Sequence, residues 1–290
     1  MLSDAAQLAR AIAALASLAD GDLDSPIPPT GNPETEPLMA GIERLRQRLL
    51  LQRQAVLAQE EEREQLLHNL AHEIRTPLTA LENALDILAS SLAEISIKES
   101  ERLLRGARIT ATRVRLLTEN LLSAGAIQAG LFQPVLQPMD LDQLFPTALE
   151  PLAAALEVRS QQVEVDIPTP CPVMGDPLYL GQALSNLVSN ASKYGPEGST
   201  IHVKAISEAR TVRVEVTDHG PGISAGQQPG LFERYYRPSP SQATPSVGLG
   251  LAIVKGIIDA HRGSVGVIST PGNGTTVWFT LPVGTGTAPA

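Results

Sequence analysis

The spacing of apolar residues changes from a helical to an alternating pattern near residue 130, and this change divides the chain into two kinds of structure. Before Gly130, apolar residues recur every three or four positions, as they do along one face of a helix. After Gly130, several short segments alternate apolar and polar residues, as half-buried strands do. The pattern therefore predicts a helical region followed by an α+β domain, in which helices cover one face of a sheet.

The N-terminal region is predicted to consist of three helices. An amphipathic helix over residues 5–19 is followed by a proline-rich connector over 24–37, and helical spacing then continues without a proline from Leu38 to Pro77. A further helix is expected over 98–127, after a short polar segment. Because a hairpin of two helices cannot enclose both of its own apolar stripes, we expect it to pair with a second copy in a four-helix bundle, and so a homodimer.

One histidine of the long helix lies off its apolar seam. His72 follows a seam position by two residues and is expected to face solvent, beside Glu73 and one turn before Thr76. Pro77 cannot donate to the carbonyl of Glu73, so we expect it to kink or loosen the helix. His68 and His72 have a spacing that suits a metal, but no third ligand is evident, and we interpret His68 as a solvated residue. The seam alternates steps of three and four and consists of Leu67, Leu70, Ile74, Pro77, Leu81, Ala84 and Leu88.

Five strands and two helices are predicted after Gly130. Asp176 is a suitable cap, and Pro177 a suitable first residue, for the first of these helices. The strands are expected at 163–167, 201–205, 212–216, 265–268 and 276–280, and the helices at 177–194 and 249–261.

Three polar residues share one face of the helix at 177–194. Asn186, Asn190 and Lys193 are spaced by four and three residues. Amide oxygens bind hard cations and a lysine offsets phosphate charge, so this face suits a magnesium-bound nucleotide. Buried amides that hydrogen-bond each other are the alternative.

Two glycine-rich segments follow in the same domain. Asp218 leaves a predicted strand into a turn that contains Gly220 and Gly222, where bare backbone permits close approach to a flat ligand. Gly248 and Gly250 come directly before a predicted helix, whose N-terminus favours phosphate. Between them, about 25 residues without clear periodicity are long enough to form a lid.

Charge and composition exclude several classes of protein. Twenty-two basic and thirty-one acidic residues give a net charge of −9, which argues against binding to nucleic acid or an anionic membrane through bulk charge. A single cysteine, Cys171, excludes an intramolecular disulfide framework and a multi-cysteine metal site. The apolar run from Ala11 to Ala19 is about half of the ~20 residues that cross a bilayer. We therefore expect no signal peptide, no membrane span and a cytoplasmic protein.

Five segments, in this order, resemble the motifs of the two-component sensor histidine kinase family. They are the phosphoacceptor box (His72 to Leu78), the N box (Asn186 to Tyr194), the first glycine box (Asp218 to Gly222), the F box (Phe232 to Arg234) and the second glycine box (Gly248 to Leu251). The resemblance implies a dimeric four-helix bundle followed by an α/β sandwich ATP-binding domain of the histidine kinase, gyrase and chaperone type.

The resemblance also implies the chemistry. His72 would take the γ-phosphoryl group of ATP, Glu73 would orient or deprotonate its ring, and the group would pass to an aspartate of a response regulator. The position of Thr76 helps some relatives to remove phosphate from that regulator. The implied nucleotide and metal roles are Asn190, supported by Asn186, for Mg²⁺; Lys193, Gly248, Leu249 and Gly250 for phosphates; Tyr194, Asp218, Gly220 and Gly222 for the adenosine; and Phe232 and Arg234 for the lid.

The N-terminal segment resembles a HAMP signal-relay module. We therefore expect a HAMP-like segment at 1–55, a dimerisation and phosphoacceptor domain at 56–130, an ATP-binding domain at 131–285 and a disordered tail at 286–290. Such modules usually follow a transmembrane helix, so the chain either receives its input from a partner or begins downstream of a sensor. Ser246 stands where many relatives have a further glycine of the lid.

Two other functions remain open from the sequence. An ATPase or ATP-gated clamp would use the same nucleotide fold, but such proteins lack the box from His72 to Leu78. A degenerate sensor that only binds nucleotide or partners would be expected to lack nucleotide-site residues, whereas Asn190, Asp218, Gly220 and Gly222 are all present.

Overall fold

The structure is a computed structural model that describes residues 2–27, 35–90, 96–236 and 248–284. The chain forms two compact units, Met1–His68 and Asn69–Ala290. The boundary between them falls inside the second helix. The predicted tail at 286–290 and the second half of the predicted lid, which includes Ser246, lie outside the described residues.

The first unit contains α1 (Leu2–Ala19) and the first half of α2 (Glu36–Ser90). Gly21 follows α1 with a φ of 88°, in the left-handed region that ends helices. A bidentate pair, with both distances 2.8 Å, joins the Arg46 guanidinium to the Glu43 carboxylate and lowers the pKa of Glu43 to about 2. The buried core of the unit consists of Ala11, Met39 and Ile42, with Ala14, Leu18 and Ile27 packed against it.

The periodic apolar residues of α1 are not the ones that this core buries. Leu8, Ile12 and Leu15 carry the helical spacing in the sequence, yet each is exposed in the single chain. Ala11 is the residue of α1 that is buried against α2. The helix is therefore confirmed, but Leu8, Ile12 and Leu15 lie on a different face from Ala11, Ala14 and Leu18, which pack within the chain.

The two long helices are confirmed as helices. α2 continues through Pro77 to Ser90, so the proline does not end it. α3 extends over Ile97–Gln128. Ser96 caps its N-terminus, because the Ser96 hydroxyl accepts a hydrogen bond from the N–H of Glu99 at 3.3 Å. The seam of α2 is buried or half-buried wherever its side chains are described, at Leu70, Ile74, Pro77, Leu81, Ala84 and Leu88.

The C-terminal domain contains the predicted sheet. Its five strands are β2 (Gln162–Asp166), β4 (Thr200–Ser207), β5 (Thr211–Asp218), β6 (Ser264–Ser269) and β7 (Thr275–Pro282), in the order β2-β4-β5-β7-β6. β2 pairs with β4 in parallel, and the other neighbours are antiparallel. All five strands predicted from alternating residues are confirmed.

Two short strands and two short α-helices are among the elements that were not predicted. β1 (Gln137–Asp140) and β3 (Pro172–Gly175) form a separate antiparallel pair, with α4 (Leu144–Leu149) and α5 (Ala153–Val158) between them. Each strand has only four residues, one of them a proline, and so gives almost no periodic signal.

Two helices cover the sheet, α6 (Pro177–Tyr194) and α7 (Gly250–Ala260). The carboxylate of Asp176 accepts from the N–H of Leu178 at 3.1 Å and caps α6, as predicted. Buried and half-buried residues alternate along β5, because successive side chains of a strand point to opposite faces of the sheet. The fully buried aliphatic side chains of α6, α7 and the sheet include Leu184, Val188, Ile201, Val214, Val254 and Ile257.

Candidate functional site

The second glycine-rich segment and the polar face of α6 meet at the start of α7. Gly250 is the first residue of α7, and a Cβ added there would lie 3.5 Å from the side-chain nitrogen of Asn190. Within the described chain, no side chain caps this end of α7. The first N–H groups of the helix, the positive end of its dipole and an amide that can bind a hard cation therefore lie together, as a phosphate site requires.

Asp218 lies at the last position of β5. Its side chain is 8% exposed and accepts a hydrogen bond from the N–H of Gly220 at 2.7 Å. Burial raises the pKa of this carboxyl above its ordinary value, while the hydrogen bonds from Gly220 and Thr275 act in the opposite direction. A buried carboxylate at the end of a strand can accept a hydrogen bond from a flat, polar ligand.

The glycines after Asp218 have a structural reason that the sequence did not reveal. A Cβ at Gly220 would lie 2.6 Å from the carbonyl oxygen of Tyr194, and one at Gly222 would lie 2.1 Å from the carbonyl oxygen of Thr270. Gly222 also has a φ of 72°. The loop is therefore bare because two other segments of the protein pack directly against it, in addition to any approach by a ligand.

Lys193 and Tyr194 end α6 beside this loop. The ammonium of Lys193 lies 5.2 Å from the centre of the Tyr194 ring, and Tyr194 is 49% exposed. The structure thus brings together Asn190, Tyr194, Gly220 and Gly250 through direct neighbours on α6, the β5 loop and α7.

The described half of the predicted lid is joined to the second glycine-rich segment. The N–H of Tyr235 donates to the carbonyl of Gly248 at 3.0 Å, and Gly248 has a φ of 72°. Phe232 and Arg234, which the resemblance assigned to the lid, are half-buried just before this junction. Leu249 is buried, so its side chain belongs to the core of the domain.

Asn186 has different neighbours from Asn190. Its side chain exchanges two hydrogen bonds with Asn120 of α3, at 2.9 and 3.0 Å. The side chain of Gln182 donates to the same Asn120 oxygen at 3.0 Å, and Ser123 donates to Gln182 at 3.0 Å. In this conformation the Asn186 amide holds α6 against α3, which fits the sequence-derived alternative of mutually satisfied amides.

The box from His72 to Leu78 lies on α2, in the same compact unit as Asn190, Asp218 and Gly250. His72 is exposed, as its position off the seam predicted. Glu73 is half-buried, and the hydroxyl of Thr76 donates to the carbonyl of His72 at 3.0 Å. Among the described residues, no three His, Cys, Asp or Glu side chains are arranged to hold a metal ion. Nor does any described helix have a segment apolar and long enough to cross a bilayer.

Sequence reasoning missed three polar residues that organise the site. Asn120 was hidden in the polar remainder of α3, although it shares a helix face with Ser123. His261 and Gln161 are buried, at 1% and 6% exposure, and make their contacts to α6 and its flanking turns. Their partners are distant in sequence, and no local pattern in the sequence identifies such contacts.

Three family profiles match the chain in series. The HAMP domain matches residues 5–50, and the His Kinase A (phospho-acceptor) domain matches residues 62–130. The histidine kinase-, DNA gyrase B-, and HSP90-like ATPase matches residues 175–285.

Similar proteins include two groups of bacterial kinases. The adaptive-response sensory kinase SasA of Thermosynechococcus vestitus is 39% identical over 76% of this chain and 60% of its own length. The sensor-like histidine kinase SenX3 of Mycobacterium tuberculosis is 34% identical over 76% of this chain and 54% of its own length. The chain therefore spans little more than half the length of these relatives.

A solved structure of full-length ShkA in complex with AMPPNP has a similar fold. It superimposes with a TM-score of 0.54, at 27% identity, over 78% of this chain and 47% of that one.

Proposed function

The chain belongs to the two-component sensor histidine kinase family, and from this membership we propose that it is an ATP-dependent protein kinase that phosphorylates its own His72. The observation that carries the proposal is the exposed imidazole of His72 on α2, within the same compact unit as the phosphate-type site at Asn190 and Gly250. A gyrase-type ATPase or clamp would have the second feature without the first.

The proposed nucleotide site follows from the contacts described above. Asp218 would accept a hydrogen bond from the adenine amino group, with Gly220 and Gly222 leaving the loop bare. Tyr194 would lie beside the adenine and ribose. Lys193 would offset phosphate charge, and the phosphate chain would lie at the uncapped N-terminus of α7, against Gly248 and Gly250.

The side chains fit Mg²⁺ as part of this site. An amide oxygen is a ligand of the type that Mg²⁺ takes, and Asn190 lies against the helix end where phosphates would bind. Bound there, the ion would neutralise charge on the phosphate oxygens. Asn186 would join it only after exchanging its hydrogen bonds with Asn120 for a metal ligand.

At His72, a ring nitrogen would attack the γ-phosphorus, and the bond from that phosphorus to the oxygen bridging to the β-phosphate would break, so that ADP leaves. The proton on the other ring nitrogen would pass to a base, and the adjacent Glu73 is the proposed one. Because little covalent chemistry is required of the protein, the work of the site is positioning and charge neutralisation.

The proposed partners are a second copy of the chain and a response regulator. Several large apolar side chains on the long helices are exposed in the single chain, and a four-helix bundle formed by two hairpins would cover them; they include Leu78, Leu85, Leu104 and Leu122. The phosphoryl group on His72 would pass to an aspartate of the regulator. The division at 1–55, 56–130 and 131–285 remains our proposal for the domains.

Thr76 is the proposed contributor to removal of phosphate from the same regulator. Its side chain is exposed one turn beyond His72 and donates to the His72 carbonyl, which leaves its oxygen able to accept a hydrogen bond from water. If phosphorylated regulator decays equally fast with wild type and with Thr76→Ala, this role is wrong.

The central test is incubation with ATP labelled at the γ-phosphate, with magnesium. We expect the wild type to become labelled and His72→Gln to remain unlabelled. His68→Gln is the matched control, because His68 is an exposed histidine on the same helix, one turn earlier. Labelling of the His72 variant at the rate of the wild type would refute the assignment.

A further inference from the structure

The side chain of Gln161 is buried between the start of β2 and the end of α6. It is 6% exposed. Its amide nitrogen donates to the carbonyls of Ser192 and Pro196, at 3.1 and 2.8 Å, and its amide oxygen accepts from the hydroxyl of Ser192 at 2.6 Å. Both faces of the amide are therefore satisfied by the same short segment at the end of α6.

A neighbouring side chain fixes the middle of that segment. The guanidinium of Arg159 donates to the carbonyl of Gly195 at 2.9 Å, and the carbonyl of Arg159 accepts from the N–H of Gly198 at 2.9 Å. The turn that contains Arg159 and Gln161 thus contacts the chain on both sides of Lys193 and Tyr194.

The backbone of Tyr194 also contacts a second segment of the protein. The carbonyl oxygen of Tyr194 lies so close to Gly220 that a Cβ there would be only 2.6 Å away. The end of α6 is therefore contacted both by the Gln161 amide, which binds the residues before and after Lys193 and Tyr194, and by the loop that begins at Asp218.

We propose that Gln161 is a positioning residue for nucleotide binding, which acts by fixing the backbone from Ser192 to Pro196 and so the directions of Lys193 and Tyr194. The inference rests on the proposed function, because it takes these two residues to contact the nucleotide. Gln161 itself does not touch the site.

The chemistry of the position requires glutamine. The buried segment presents two carbonyl acceptors and one hydroxyl donor, and only a side-chain amide offers two donors and an acceptor together. Leucine has a similar size but leaves the carbonyls of Ser192 and Pro196 without this partner. A glutamate would place acceptor oxygens against those carbonyls and could bond only the Ser192 hydroxyl.

The test uses Gln161→Leu in the full chain, with Gln162→Leu as the matched control. Gln162 is the adjacent residue of the same type, but it is exposed. Ser192→Ala is a milder variant, since it removes only the hydroxyl bond to Gln161 and alanine suits a helix.

Three measurements separate positioning from general stability. Hydrogen exchange of residues 192–198 is measured without nucleotide, affinity is measured by titration with a fluorescent ATP analogue, and KM and kcat are measured for autophosphorylation. We expect Gln161→Leu to accelerate hydrogen exchange in this segment and to lower the affinity for the analogue by about tenfold. We also expect it to raise KM with little change in kcat. Ser192→Ala should have a smaller effect in the same direction, and Gln162→Leu should match the wild type.

Two results would overturn the inference: an unchanged affinity in a folded Gln161→Leu with faster exchange, or a fall in affinity equal to that of Gln162→Leu. If Gln161→Leu does not fold, an unchanged affinity and KM in Ser192→Ala would overturn it as well. A wild type that fails to bind the analogue would instead refute the proposed function, so the two failures are distinguishable.

Discussion

A single methyl group at Gly222 is predicted to weaken nucleotide binding. Gly222 has a φ of 72°, and a Cβ there would lie 2.1 Å from the carbonyl oxygen of Thr270 and 2.7 Å from its carbonyl carbon. Gly272 lies in the facing loop with a φ of 84° and has nothing within 4 Å of its Cβ position. The two glycines therefore share the left-handed backbone but differ in the space around them, so Gly272→Ala is a matched control for Gly222→Ala.

The sizes of the two effects follow from this difference. The left-handed conformation costs an alanine about 1 kcal/mol, which applies to both variants. At Gly222 the loops must also separate by about 0.9 Å, because Cβ contacts under 3.0 Å are essentially never found. Gly222 lies four residues beyond Asp218. A displacement of ~1 Å within a site can lower the rate of a reaction by up to about 100-fold.

Thermal unfolding and titration with a fluorescent ATP analogue check this prediction. Gly272→Ala should lower Tm by about 2–4 °C and keep its affinity within about threefold of the wild type. Gly222→Ala should lower Tm further and should lower the affinity for the analogue by at least about tenfold. If the two variants have the same Tm and the same affinity, the contact between Gly222 and Thr270 does not constrain the site, and the reasoning is wrong.

Three further changes test the packing around the site. Burial lowers the pKa of His261, whose Nε2 accepts a hydrogen bond from the N–H of Asp176. The neutral ring therefore contributes stability above about pH 6.5, and this contribution is lost as the pH falls. Urea unfolding should show a lower free energy of unfolding at pH 5.5 than at pH 7.5, and His261→Gln should lack this difference. Arg262 has a φ of 60°, a left-handed conformation that costs a non-glycine residue about 1 kcal/mol. Arg262→Gly should therefore raise the free energy of unfolding by up to about 1 kcal/mol and increase Tm, and an unchanged or lower Tm would contradict this. Asn120→Ala removes three hydrogen bonds from the contact between α3 and α6, and should speed hydrogen exchange around Asn186 while leaving β5 unchanged.

The sequence predicted elements whose stability is local. β2, β4 and β5 alternate apolar and polar residues over at least four positions, and α6 carries a cap, a proline at its first position and an apolar stripe. These signals depend on neighbours along the chain. The exposure of His72 was predictable for the same reason, because it follows from its offset to the seam of α2.

The contacts that build the site were not predictable, because they join residues far apart in sequence. Gln161 contacts the end of α6 over 31 to 35 residues, and Gly222 meets Thr270 on another loop. Asn120 and Asn186 pair across 66 residues. A glycine or an amide at these positions has no periodic signature, so the sequence indicated which residues bind but not which of their neighbours hold them.

Identification of the phosphorylated residue is the most direct test of autophosphorylation on His72. After incubation with ATP and magnesium, the protein is digested at neutral pH and the modified residue is located by mass spectrometry. In parallel, the stability of the phosphoryl group is measured in acid and in base. We expect a phosphoryl group on His72 that is lost in acid and survives base. An acid-stable group on another residue, such as Thr76, with His72 unmodified would contradict it.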